Sequence, residues 1–273
     1  MIKDVILYLE RNKERDAVRD YAISIAETFD SHLTGVAFVD SGAVANYFMP
    51  GMPSDILEQI LTESRKTGQD AVARFEVAAK RSLLSAEPRL IEGNELPPFH
   101  AFSKMARYFD LSVVMQSDEV TDNGLVIEQT LFGSGRPMIV VPYIQKDLLK
   151  LDRVVCCWDG SRAAARAVND ALPLLKKAAS VELFVATTEK TEDEVPGTEI
   201  GNHLARYGMN VEVESLPAGD SNVADVILSH VADRSADLIV MGGYGHSRLR
   251  EFVLGGATRG ILSTMTVPVF MSH

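Results

Sequence analysis

Residues 5–9 form a short apolar run rich in strand formers, and a second such run covers residues 33–39. Between them, Ala17, Val18, Tyr21, Ala22, Ile25, Ala26 and Phe29 recur at helical spacing, so one face of the intervening helix is apolar. Asp30 and Ser31 break that helix. The unit reads strand–helix–strand, and its crossover is long enough to join parallel strands with the usual right-handed connection.

The same phrase returns at mid-chain. Residues 154–158 read as a strand, Ala164, Ala167, Val168, Ala171, Leu172 and Leu175 as a helical stripe, and residues 181–186 as the next strand. An offset of 149 aligns Val5 with Val154, Ala22 with Ala171 and Ala26 with Leu175, all apolar as a shared core face requires. The ends of the halves also match: residues 109–116 parallel 236–243 at an offset of 127, and Pro137 parallels Pro268 at 131, so the first half is shorter by four residues between those strands. A repeat this long is a duplicated domain, not a solenoid unit. The polar stretch around 143–152 divides a first domain, residues 1–146, from a second, residues 151–273.

The intervals carry further elements. The pattern predicts a long helix over 54–84 with Leu57, Ile60, Leu61, Ala71, Phe75 and Ala78 on its apolar side, a short strand at 89–91, and a helix over 98–108. In the second half it predicts helices over 198–207 and 223–231 and a strand at 211–215, with Asp220 or Ser221 placed to cap the last helix. Each half therefore reads β-α-β-α-β-α-β-α-β. The fold class is α/β, two tandem doubly wound parallel sheets of five strands each. Near-continuous apolar strands fit sheets covered by helices on both faces.

Composition narrows the function classes. With 46% hydrophobic and 24% charged residues in 273, the chain has ample material for a core. Its net charge of −11 is spread over both halves, which disfavours nucleic acid and anionic lipid as partners. No apolar run approaches a membrane span, and the N-terminal run is too short for a signal peptide, so the expected location is the cytoplasm. Cys156 and Cys157 are neighbours in an apolar run and read as buried small residues, not as a disulfide scaffold. The six histidines show no metal-ligand spacing, so no metal is expected. Ser161 lacks the G-x-S-x-G frame of a nucleophile and reads as a helix N-cap. The apolar loop 43–53 reads equally as a flap on its own domain or as a contact for a partner or apolar ligand.

Candidate chemistry concentrates after the fourth strand of the second half, in GGYGHSRLREFVLGGATRG, with glycines at 242, 243, 245, 255, 256 and 260. Ligands of open parallel sheets bind at the carboxyl ends of strands. Glycines there let backbone amides approach an anion, and a helix opening at 255–257 would favour phosphate. Arg248, Arg250 and His246 lie between the glycine clusters as possible countercharge. The competing reading is that the glycines serve turns and close helix–sheet packing.

The stretch MGGYGHSRLREFVLGGATR, spaced Gly242-x2-Gly245-x9-Gly255, resembles the phosphate loop of the universal stress protein family, and the resemblance covers nearly the whole chain as two copies. It implies a Rossmann-like fold of the adenine nucleotide alpha hydrolase type. It also implies ATP or a related adenine nucleotide in the second domain, held by Asp159, Val185, Met241, Gly242, Gly245, Gly255, Gly256, Ala257 and Thr258. The family's Ser or Thr after the last motif glycine is replaced by Gly256, with Thr258 two residues on. In the first domain, Met115 and Asp118 fall where the glycine pair should be, Asp118, Glu119 and Asp122 add negative charge, and Glu10 stands in the place of Asp159. That domain reads as a degenerate copy without a nucleoside triphosphate, serving as the fused partner of the second. The family pairs its domains through their last strands, here 138–141 and 267–270, and a further homodimer is open. No P-loop, dinucleotide fingerprint or acid–base pair appears, so any ATP hydrolysis is slow and incidental. The implied function is a cytoplasmic stress-response or regulatory protein. The alternative is a nucleotide-free scaffold for protein contacts.

Overall fold

The computed structural model describes residues 1–11, 16–39, 53–92, 96–118, 123–187, 197–217, 222–243 and 256–273. The chain divides into two compact units, one of residues 1–115 and 119–136, the other of residues 116–118 and 137–273.

In the first unit, β1 (Asp4–Tyr8), α1 (Ala17–Phe29), β2 (His32–Phe38), α2 (Ser54–Arg81), β3 (Ala86–Ile91), α3 (Pro98–Ala106), β4 (Leu111–Met115) and α4 (Gly124–Gly133) follow one another. The strands lie in the order β3-β2-β1-β4 and all run parallel, with Val5 opposite both Leu33 and Leu111. Crossover helices make this order possible, and they bury both faces of β1, where Val5, Ile6 and Leu7 are fully inaccessible. α1 turns Val18, Tyr21, Ala22, Ile25 and Ala26 inward and stops at Asp30, whose left-handed backbone (φ 51°) returns its amide to the Ala26 carbonyl. Phe75 of α2 packs so closely on β2 that a side chain at Gly35 would meet its ring at 2.9 Å.

The second unit holds β5 (Met138–Val141), β6 (Arg153–Cys157), α5 (Arg162–Leu175), β7 (Ser180–Thr187), α6 (Thr198–Ala205), β8 (Val211–Pro217), α7 (Val223–Asp233), β9 (Leu238–Gly242), α8 (Gly256–Thr264) and β10 (Val269–Ser272). Its strand order is β5-β10-β9-β6-β7-β8. All pairs described are parallel except β10 with β5, where Val269 faces Val140 and Met271 faces Met138 in antiparallel register. The repeat pattern gives β5 to the first domain, whereas the contacts gather it into the second unit, because β10 is its antiparallel partner. α5 approaches the sheet closely because its inner face is mostly alanine: Ala163, Ala164, Ala167 and Ala171 are buried with Val168, Leu174 and Leu175.

The α7 cap differs from the expectation. Asn222, not Asp220 or Ser221, is the N-cap, and its side-chain oxygen accepts the Ala224 amide at 3.0 Å. Ser, Asp and Asn cap almost equally well, so composition alone did not choose among three neighbouring candidates. Among the described residues no helix is long and apolar enough to cross a membrane.

Candidate functional site

The strand order of the second unit reverses at β6, whose neighbours β7 and β9 come from opposite directions of the winding. A crevice forms at the carboxyl ends of such strands, because the following helices leave to opposite faces. Four of the predicted residues stand on this edge. Asp159 follows β6, Val185 lies near the end of β7, and Met241 with Gly242 closes β9. Register brings them side by side: Cys157 faces Phe184, and the Trp158 amide donates to the Phe184 carbonyl at 2.9 Å.

The turn after β6 is built locally. Gly160 has φ +73°, a conformation that side chains resist. This lets the Ser161 amide donate to Asp159 Oδ1 at 2.9 Å, while Ser161 Oγ accepts the Ala164 amide at 3.1 Å. Ser161 is thus the N-cap the sequence predicts. Asp159 stays exposed, whereas Val185 and Met241 are buried at 6% each. Trp158 is half-buried.

Gly242 is explained by packing. A Cβ there would lie 2.5 Å from the Ala163 carbonyl carbon and the Ala164 nitrogen, so the end of β9 runs directly against the first turn of α5. The Gly243 amide donates to the Ser272 carbonyl at 2.8 Å and is not free for an anion, and its carbonyl contacts His273 Nδ1 at 2.8 Å. Gly245, Gly255, His246, Arg248 and Arg250 lie outside the described residues, as do residues 43–52 of the apolar loop.

α8 opens at Gly256. Among the described residues nothing stands within 4 Å of where a side chain at Gly256 would begin, whereas one at Gly260 would strike Ala224 Cβ at 2.6 Å. The middle of α8 is therefore seated on the first turn of α7, which follows the carboxyl end of β8. Ala257 is half-buried, and Thr258 is buried at 4%.

The equivalent edge of the first unit is closed. Glu10, in the place of Asp159, is only 7% exposed, and the Asn123 carboxamide donates to its Oε1 at 2.9 Å and to the Met115 carbonyl at 3.4 Å. Arg74 caps the Glu10 and Arg11 carbonyls at 3.2 and 3.1 Å and pairs with Asp16 at 3.0 Å. Met115 is buried, and Asp118 is half-buried. Glu119 and Asp122 lie outside the described residues.

Burial pushes the Cys156 thiol far above its ordinary range, and it pushes Cys157 up to about 12, with Asp159 and Glu182 adding to the shift. Cys156 is buried as expected, but Cys157, at the end of β6, is only half-buried, and both raised thiols stay protonated near neutral pH. One cluster escaped the sequence pattern: Glu182, Glu214 and His230 bring their ligand atoms within 4.8 Å of one another. They come from β7, β8 and α7, and Glu182 and His230 are 48 residues apart, so no short motif announces them.

A doubly wound α/β unit with a switch-point crevice defines the class. Residues 150–273, within the second unit, match the model of the universal stress protein family. A curated universal stress protein of Synechocystis sp. is 28% identical over 150 residues, 54% of this chain, and the chain spans about half (50%) of that relative's length. A universal stress protein structure from Archaeoglobus fulgidus superposes with a TM-score of 0.72 at 17% identity, covering 98% of this chain and 97% of that one. A putative universal stress protein of Pseudomonas aeruginosa gives 0.61 at 13% identity, covering 99% and 93%. These structural likenesses carry the fold.

Proposed function

We propose that the second unit binds ATP or a related adenine nucleotide and that the protein acts as a regulator, without catalytic turnover. The observation that carries this reading is the contrast between the two acidic positions. Glu10 is sealed by Asn123, whereas Asp159 stands exposed at the switch point beside Val185 and Gly242. In this reading Asp159 accepts from the adenine amino group and the Val185 backbone meets the base. In the same reading Gly245 and Gly255, together with the first amides of α8 at Gly256, Ala257 and Thr258, serve the phosphates, because a helix N-terminus favours an anion. Met241 and Gly242 set the floor and the closeness of approach. The first unit is then a degenerate copy that holds no nucleotide. Bound nucleotide shifts the protein between two states through its differential affinity for them.

Calorimetric titration of ATP tests the reading with the wild type, Gly245→Asp and Asp159→Ala. Binding at one site that both variants weaken at least tenfold supports it, and equal binding by all three removes the crevice from the argument. A second reading, a nucleotide-free scaffold, is favoured by the occupied Gly243 amide and by Gly256 at the position of the family's hydroxyl. Mass spectrometry of small molecules released on denaturing the purified protein separates the two, because retained adenine nucleotide excludes the scaffold.

A further inference from the structure

We propose that Glu182, Glu214 and His230 form a site for a divalent transition-metal ion of the zinc class, independent of the nucleotide crevice. The backbone fixes the arrangement. Glu182 and Phe184 alternate along β7 and so share one face, and β8 runs parallel with Glu214 opposite Phe184, which places Glu214 on that face too. α7 lies against β7, with His230 and Arg234 one turn apart.

The His230 ring stacks on Phe184, with centroids 4.1 Å apart and planes at 18°, and this orientation aims Nε2 at the Glu182 carboxylate. Glu182 is fully buried and His230 is 6% exposed, whereas Glu214 is half-buried and gives an ion a way in and a position open to water. The three ligand atoms lie within 4.8 Å of one another. A zinc ion with bonds of about 2.0–2.2 Å needs tetrahedral ligands roughly 3.3 Å apart, so side-chain adjustments of about an ångström complete the site. One imidazole nitrogen with two carboxylates suits zinc or cobalt better than the all-oxygen preferences of magnesium and calcium.

The region is already built to hold positive charge between the carboxylates. Arg153 Nη1 lies 3.5 Å and Arg234 Nε 3.7 Å from Glu182 Oε2, and Arg234 Nη2 bonds Glu214 Oε2. The Arg234 side chain is 38% exposed, so it can swing into solvent while Arg153 stays. Arg234 is therefore the competitor of the metal ion. Glu182 precedes Val185 by three residues, roughly 10 Å along the strand, so ion and nucleotide occupy different places.

The test uses the full chain, stripped with a chelator and titrated with zinc chloride by calorimetry and with cobalt chloride by visible absorption. One equivalent should bind, with the d–d bands of low-coordinate cobalt. Glu214→Gln, isosteric and half-buried, should weaken binding at least tenfold, and Arg234→Gln should tighten it several-fold by removing the competitor. Circular dichroism melts establish that each variant is folded. If Glu214→Gln does not fold, Arg234→Gln decides alone. No binding by the wild type or Arg234→Gln overturns the proposal. So does binding that neither variant changes, which would place the ion elsewhere, and so does weaker binding by Arg234→Gln.

Discussion

Replacing Gly242 by alanine isolates what this glycine does. The added Cβ would sit 2.5 Å from two backbone atoms of α5, Ala163 C and Ala164 N, and 2.9 Å from Ala163 Cβ. Carbon atoms settle at about 3.5–4.0 Å, so β9 and the first turn of α5 must part by roughly an ångström, and no flexible side-chain tip can absorb it. Overpacking of this kind costs about 1–3 kcal/mol. The struck nitrogen is also the donor to the Ser161 cap at 3.1 Å, and loss of such a cap costs about 1 kcal/mol more. Together about 2–4 kcal/mol is at stake, which at about 3 °C per kcal/mol for a unit of this size lowers the melting temperature by about 6–12 °C. Thermal unfolding followed by circular dichroism reads the change, with Gly256→Ala as the internal control. Among the described residues that position meets no neighbour, so the control should be neutral or slightly stabilised. If Gly242→Ala melts with the wild type, the close approach of strand to helix is not what this glycine secures.

Other perturbations separate the two edges and the thiols. Gly256→Ser restores a hydroxyl at the start of α8 without a clash. It should tighten ATP binding by about 1–2 kcal/mol, roughly five- to thirtyfold in Kd by calorimetry, and an unchanged Kd would mean the phosphates lie elsewhere. Asn123→Ala removes a donor from the buried Glu10 carboxylate and should cost about 1.5–3 kcal/mol in urea unfolding, and a loss under 0.5 kcal/mol would show that the bond does not hold that edge. Cys156 should resist a thiol reagent at pH 8 in the native state and react only on unfolding, whereas the half-buried Cys157 should react, but more slowly than a free thiol. Because their folded pKa values lie above the unfolded ones, the unfolded chain sheds protons first. Stability should therefore fall as pH rises from about 9, by up to about 1.4 kcal/mol per pH unit per thiol, and denaturant melts of the wild type and a Cys156→Ala variant over pH 8–11 measure the difference in slope.

Periodicity made the fold legible because a parallel sheet under helices writes its strands as unbroken apolar runs and its helices as stripes. Val5 and Val154, at an offset of 149, both lie fully buried in the first strands of their repeats. The last strand, expected at 267–270, runs over 269–272, with Val269 opposite Val140. Boundaries were less legible. The 54–81 helix stops short of 84 because Leu83 takes a positive φ. The meaning of individual glycines was least legible: spacing flagged Gly242, but only the position of Ala163 shows that its absent side chain makes room for backbone. The Glu182–Glu214–His230 cluster left no trace in the pattern, since its members meet only when β7, β8 and α7 are stacked.

The two repeats show how little it takes to change such a crevice while keeping its walls. Both present an acidic residue after the first strand, Glu10 or Asp159, at the edge where a doubly wound sheet opens. In the first unit a longer carboxylate reaches inward and one carboxamide, Asn123, binds it together with the Met115 carbonyl, so polar groups that could serve a ligand serve each other. In the second unit the shorter Asp159, among the described residues, bonds the amide two residues on and remains turned to solvent. A hydrogen bond to a buried charge is worth about 1.5–3 kcal/mol, comparable to a modest ligand contact, so self-satisfaction of the edge competes directly with binding. The sheet carries the fold in both units, so sealing the edge at Glu10 need not weaken the strands beneath it.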